Sequence, residues 1–190
     1  MSSEYIEKMQ RVIADLATEF TLYNQLFVNP NAIELLNKTA PMVFSSYQRS
    51  LLNTIYMGIS RILDPAKNGR GNDSNLSFKF LVEELALTDH KELSELLANT
   101  LETFTSTGLK KYRNKVMSHN DLRTINNKTQ HLSLNYDGLT LLMKQLWQLL
   151  DMIRYAVGET DVLMTTGTEI IMYDDGDSLL GNLRELHITS

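Results

Sequence analysis

The chain has no cysteine. That absence excludes a disulfide framework, a cysteine-bearing zinc site and a thiol nucleophile, and it makes a reducing compartment the natural setting, so a cytoplasmic protein is expected. Long hydrophobic runs are missing too. No window approaches the about 18 uninterrupted apolar residues of a membrane span, and "MSSEYIEKMQRV" carries Glu4, Glu7 and Lys8 where a secretory signal needs an apolar core. No membrane partner is expected. Basic charge is scarce relative to acidic, with a net charge of −5, which argues against a protein that coats nucleic acid non-specifically through many Lys and Arg.

The absent motifs narrow the chemistry further. The four histidines, His90, His119, His131 and His187, show no pairing at metal-ligand spacing and there is no HExxH, so no metal site is expected. No G-x-S-x-G elbow supports a serine hydrolase. "GRGNDSN" lacks the Lys-Ser/Thr of a phosphate loop and reads as a linker. "DDGDSLLGNLRE", Asp174 to Glu185, has acids at both ends of a twelve-residue window. Gly176 and Leu179 stand at its third and sixth positions, so it lacks the inner ligands and turn glycine of a calcium loop. Nothing here calls for a cofactor.

What is present is helical periodicity. At 190 residues the chain is most economically one domain, long enough to bury its own core. From Tyr5 to Phe27, Ile6, Met9, Val12, Ile13, Leu16, Phe20, Tyr23 and Phe27 fall on one stripe and predict a long amphipathic helix. A short helical segment lies between Pro30 and Pro41, and a second long helix runs from about Pro41 to Leu63, stopped by "LDP". These two long helices are expected to be antiparallel. Pro65 to Asn75 reads as an exposed loop. Helices are expected again from Leu76 or Ser77 to Leu87, from Lys91 to Thr105 and from Thr107 to about Ser118. An extended connection follows, with a short strand at Gln130 to Leu134, and Asn135 is placed to cap the last long helix. Its core face is Leu139, Leu142, Met143, Leu146, Leu149, Leu150 and Ile153, and Gly158 closes it. The β-branched "DVLMTTGTEIIMYDDGDS" suggests a loop or small hairpin before a terminal helix in "SLLGNLREL".

One segment departs from the overall charge. In "KKYRNKVMSHND", Lys110 to Asp121, four of the six residues from Lys110 to Lys115 are basic, and an Arg113-Asn114 pair precedes His119. A guanidinium contacts phosphate bidentately, and an imidazole moves protons near neutrality. RNA supplies its own nucleophile, the 2′-OH, so this pair suits metal-free phosphodiester cleavage. On one helix Arg113 and His119 stand about 9 Å apart along the axis and roughly 120° around it, so they need not touch. Asn114 and Ser118 share a face, which lets Asn114 orient the His or hold a phosphate oxygen. The same residue types also fit a solvated Arg113 and a His119 favoured by a helix C-terminus, and residue types alone give that reading the larger share.

The Arg113-Asn114, four-residue spacer, His119 arrangement resembles the signature of the HEPN superfamily. With "IYMGISRILDPAKNGRGNDSNLSF", Ile55 to Phe78, upstream, "YRNKVMSHNDL" is similar to the abortive-infection branch called AbiU-type, with Ser118 where that branch has Ala. The resemblance implies an all-α, up-and-down bundle of four or more helices. It implies a metal-independent endoribonuclease used as a toxin or in phage defence, often a homodimer whose two motifs form a composite site, with an antitoxin protein as a partner. Other members of the superfamily have lost catalysis and bind a nucleotide or a partner. Carried onto this chain, it makes Arg113, Asn114 and His119 the catalytic candidates. Lys110, Lys111, Tyr112, Lys115 and Arg61 become candidates for contacting RNA, Tyr112 by stacking on a base.

Overall fold

A computed structural model describes residues 2–67, 74–109, 136–159, 168, 170 and 172–188. The described residues form seven α-helices and no strand: α1 (Ser2–Phe27), α2 (Pro30–Thr39), α3 (Pro41–Ile62), α4 (Phe78–Glu84), α5 (Lys91–Ser106), α6 (Tyr136–Ala156) and α7 (Gly176–Ile188). The protein is all-α. Among the described residues the one β-type contact is an isolated antiparallel bridge between Lys67 and Ser74. The strand expected at Gln130 to Leu134, the cap at Asn135 and most of the 65–75 loop lie outside the described residues.

Helix boundaries follow local chemistry. Asn29 caps α2, its side-chain oxygen accepting from the Asn31 N–H at 2.9 Å, and Pro30 occupies the first turn, where a missing N–H costs nothing. Ser77 caps α4 in the same way, through the Phe80 N–H at 3.3 Å. The α4 helix is shorter than the periodicity suggested. It ends at Glu84 because Ala86 adopts φ 55°, with Leu87 N–H donating to the Val82 carbonyl and Ala86 N–H to that of Glu83, a Schellman closure built on a non-glycine residue. Gly158, at φ 91°, closes α6 with the same pair of bonds, Glu159 to Arg154 and Gly158 to Tyr155, as its sequence position suggested.

The chain divides into two compact units, Met1–Ile13 with Tyr56–Gly167, and Ala14–Ile55 with Thr168–Ser190. In the first, α5 packs along α6. Every residue of the expected α6 face, from Leu139 to Ile153, is buried, as are Ile6, Met9, Phe78, Leu81, Leu93 and Phe104. Tyr5 meets Phe80 edge to face with ring centroids 5.1 Å apart. In the second, α2 contacts α7, and Phe20, Leu26, Ala32, Leu36, Leu51, Leu180 and Leu183 are buried.

The C-terminal segment of the second unit is fastened to α1 by polar side chains. Thr21 Oγ1 accepts from the Ile170 N–H at 2.9 Å while its own proton goes to the Ala17 carbonyl. One turn on, Gln25 donates to the Asp175 carboxylate at 2.7 Å and accepts from the Gly176 N–H at 3.0 Å. Ile170 is therefore held by a hydroxyl. Asp175 then caps α7, accepting from the Ser178 N–H at 3.1 Å, so the helix starts two residues before the expected Ser178.

Candidate functional site

Residues Lys110, Lys111, Tyr112, Arg113, Asn114, Lys115 and His119 lie outside the described residues. The structure describes the chain on either side of them. α5 ends at Ser106, and the next helix does not run on from Thr107 as expected. Thr107 and Gly108 form a turn, with Gly108 at φ 73°, a left-handed conformation that glycine adopts without steric cost. Leu109 is helical again and 5% exposed, and its N–H donates to Thr107 Oγ1 at 3.4 Å. A buried leucine thus fixes the chain immediately before Lys110. On the far side the chain is described again at Tyr136, and Gly138 and Leu139 are buried within the first turn of α6. The segment carrying the motif is tethered at both ends to helices that pack against each other.

Arg61 is the candidate that falls within the described residues. It sits exposed in the last turn of α3, between the buried Ser60 and Ile62, and its carbonyl accepts from the Asp64 N–H at 3.3 Å. The basic side chain suits a helix C-terminus.

Two other histidines have definite structural roles. His90 caps α5, its Nδ1 accepting from the Leu93 N–H at 3.3 Å. His187, exposed at the end of α7, lies with Nε2 3.0 Å from Thr39 Oγ1. The Thr39 proton is committed to the Leu35 carbonyl at 2.9 Å, so the ring nitrogen is the donor. Among the described residues no group of three His, Asp or Glu side chains is placed to hold a metal ion. No helix among them is long and apolar enough to cross a membrane.

A family model described as AbiU2, of the HEPN type, matches residues 3–165. The chain belongs to the AbiU2 family. The AbiU2 match takes in α1 to α6 and the whole of "KKYRNKVMSHND", so the candidate residues lie in the family's part of the chain. It stops before α7. Neither the comparison with curated proteins nor that with solved structures returned a match.

Proposed function

We propose that this AbiU2-family chain, acting as a single HEPN-like domain in the cytoplasm, is a metal-independent endoribonuclease of the toxin or phage-defence type. The observation that carries the reading is the family match over residues 3–165, which takes in Arg113, Asn114 and His119. The reaction is a transesterification. The 2′-oxygen forms a bond to phosphorus as its proton passes to an imidazole, and the bond to the 5′-oxygen breaks as that oxygen gains a proton. A 2′,3′-cyclic phosphate and a 5′-hydroxyl remain. His119 moves the protons, Arg113 stabilises charge on the phosphoryl oxygens and Asn114 positions one of them. The six-residue gap between Arg113 and His119 in the sequence supports a homodimer in which two motifs form one site, one His119 serving as base and the other as acid. Lys110, Lys111 and Lys115 supply local counter-charge, Tyr112 stacks on a base, Arg61 supports the bound strand, and an antitoxin protein is the regulatory partner.

The test is cleavage of single-stranded RNA by purified protein in excess EDTA. Cleavage should persist in EDTA, and His119→Ala and Arg113→Ala, each with an unchanged circular dichroism spectrum, should lower the rate by about 10²-fold or more. Loss of activity in EDTA overturns the metal-free mechanism. If the protein cuts no RNA and His119→Ala leaves a cellular phenotype intact, the chain is instead a catalytically inactive module that binds a nucleotide or a partner.

A further inference from the structure

The N-terminal half of α3 has no buried residue from Pro41 to Ser50, although Met42, Val43, Phe44 and Tyr47 lie in it. Met42 is 83% exposed and Val43 64%. With Ser46, Tyr47 and Ser50 these side chains line an open groove of about 570 Å³. At 100° per residue, the five lining residues span about 140° of the helix, with the two serines near the middle and Met42 and Tyr47 at the edges. A face of this shape, small residues between apolar walls, admits another helix at close range.

The charges at its two edges differ in sign. Helix α3 contains no Asp or Glu in a chain of net charge −5. Arg49 is exposed about 20° beyond Met42 and forms no ion pair among the described residues. On the opposite edge, Glu19 of α1 lies near enough to Tyr47 to join burial in raising the pKa of its phenol, and Asp15 stands one turn away on α1. Desolvation, and secondarily Asp15, raises the Glu19 carboxyl in turn. Tyr47 and Arg49 differ by only about 3 Å in height along α3. A two-fold axis parallel to α3 exchanges the edges and leaves the heights unchanged. It turns the edge that bears Arg49 toward the edge of the partner subunit where Tyr47 and its acidic neighbour lie, twice, and closes the apolar strip on itself. An antiparallel pairing sets like edges together.

We propose that the groove of Met42, Val43, Ser46, Tyr47 and Ser50 is where a second copy of this chain docks, α3 against α3 in parallel about a two-fold axis. This rests on the homodimer in the function proposed above and gives it a location. The self-complementary edges favour a second copy over RNA, which would meet Glu19 and Asp15, and over an unrelated protein.

The cysteine-free chain makes the test direct. Wild-type protein should sediment as a dimer, and Val43→Glu should shift it to monomer with an unchanged helical spectrum. Ser46→Cys should form an intermolecular disulfide under mild oxidation, because facing positions on closely packed helices bring Cα atoms within disulfide reach, whereas Ser94→Cys, at an exposed position of α5, should not. Arg49→Glu or Glu19→Arg should weaken the dimer several-fold, and the two together should restore it. A wild-type monomer at high micromolar concentration overturns both the dimer and this interface. A dimer that Val43→Glu leaves intact and Ser46→Cys does not cross-link overturns the interface alone. The same follows if Val43→Glu abolishes binding of RNA or of another protein without changing the wild-type dimer.

Discussion

Gln25 binds Asp175 with one end of its amide and the backbone of the next residue with the other. Its Nε2 donates to the carboxylate at 2.7 Å and its Oε1 accepts from the Gly176 N–H at 3.0 Å. The bond from Gln25, then that from the Ser178 N–H, holds the Asp175 carboxyl below its usual range. A folded-state pKa below the unfolded value adds stability that is present above the unfolded pKa and is lost as pH falls through the folded one.

The C-terminal helix should therefore loosen in acid, below about pH 4, where carboxylates ordinarily titrate. Urea midpoints followed across that range should fall for the wild type, and Asp175→Asn, which keeps a capping side chain, should flatten that part of the profile. An unchanged profile in Asp175→Asn would show that other carboxylates carry the acid response.

The two glycines of α7 should respond oppositely to alanine. A Cβ at Gly176 would stand 2.9 Å from Gln25 Oε1 and 3.0 Å from both Gln25 Cβ and Leu26 Cγ, so Gly176→Ala must push the clamp aside. Gly181 has open space, and Gly181→Ala should gain about 0.5–1 kcal/mol from helix propensity. Thermal denaturation of the two variants gives the contrast, with Gly176→Ala expected to lower the midpoint.

Ala86→Gly should stabilise the chain by about 1 kcal/mol, since a left-handed residue with a Cβ is strained and glycine is not. A chemical denaturation curve that moves to lower denaturant would mean that the gain is outweighed by glycine's entropy in the unfolded chain.

Two leucines of α6 separate core from surface. Leu146 is fully buried and Leu141 is 47% exposed. Leu146→Ala should cost about 2–5 kcal/mol and Leu141→Ala no more than about 0.5 kcal/mol, measured as unfolding free energies in urea.

The long helices were legible because their apolar residues recur every three or four positions. The Ile6 to Phe27 stripe, buried except for the half-buried Val12, and the fully buried Leu139 to Ile153 face each mark a helix. Proline marked α2 and α3 because it sits at their first positions. The end of α4 was not legible, since Leu85, Ala86 and Leu87 favour a continuing helix and the left-handed turn falls on Ala86 rather than on a glycine. His90 was missed as a cap because histidine is not among the usual capping residues. Nor does "TEIIM" announce that Ile170 bonds to a threonine on α1, a contact 149 residues distant in sequence.

Of the candidate site, the structure describes Arg61 alone. Arg113, Asn114 and His119 rest on their pattern and on the family match that contains them. Gly108 is the one position on the approach to them where the sequence carries a sign of the break that helical periodicity hides. A glycine between "TFTST" and "LKKYRNK" marks the break between α5 and the helical Leu109.

The anchors on α1 also bear on where the protein can be cut. Thr21 and Gln25 lie inside the stretch that matches AbiU2, whereas Ile170, Asp175 and Gly176, which they bind, lie beyond it. A fragment trimmed to residue 165 would keep both receptors and lose their occupants, along with Leu180 and Leu183 from the hydrophobic contacts of the second unit. Its second unit would present a bare apolar strip to water, and the fragment would be prone to aggregate.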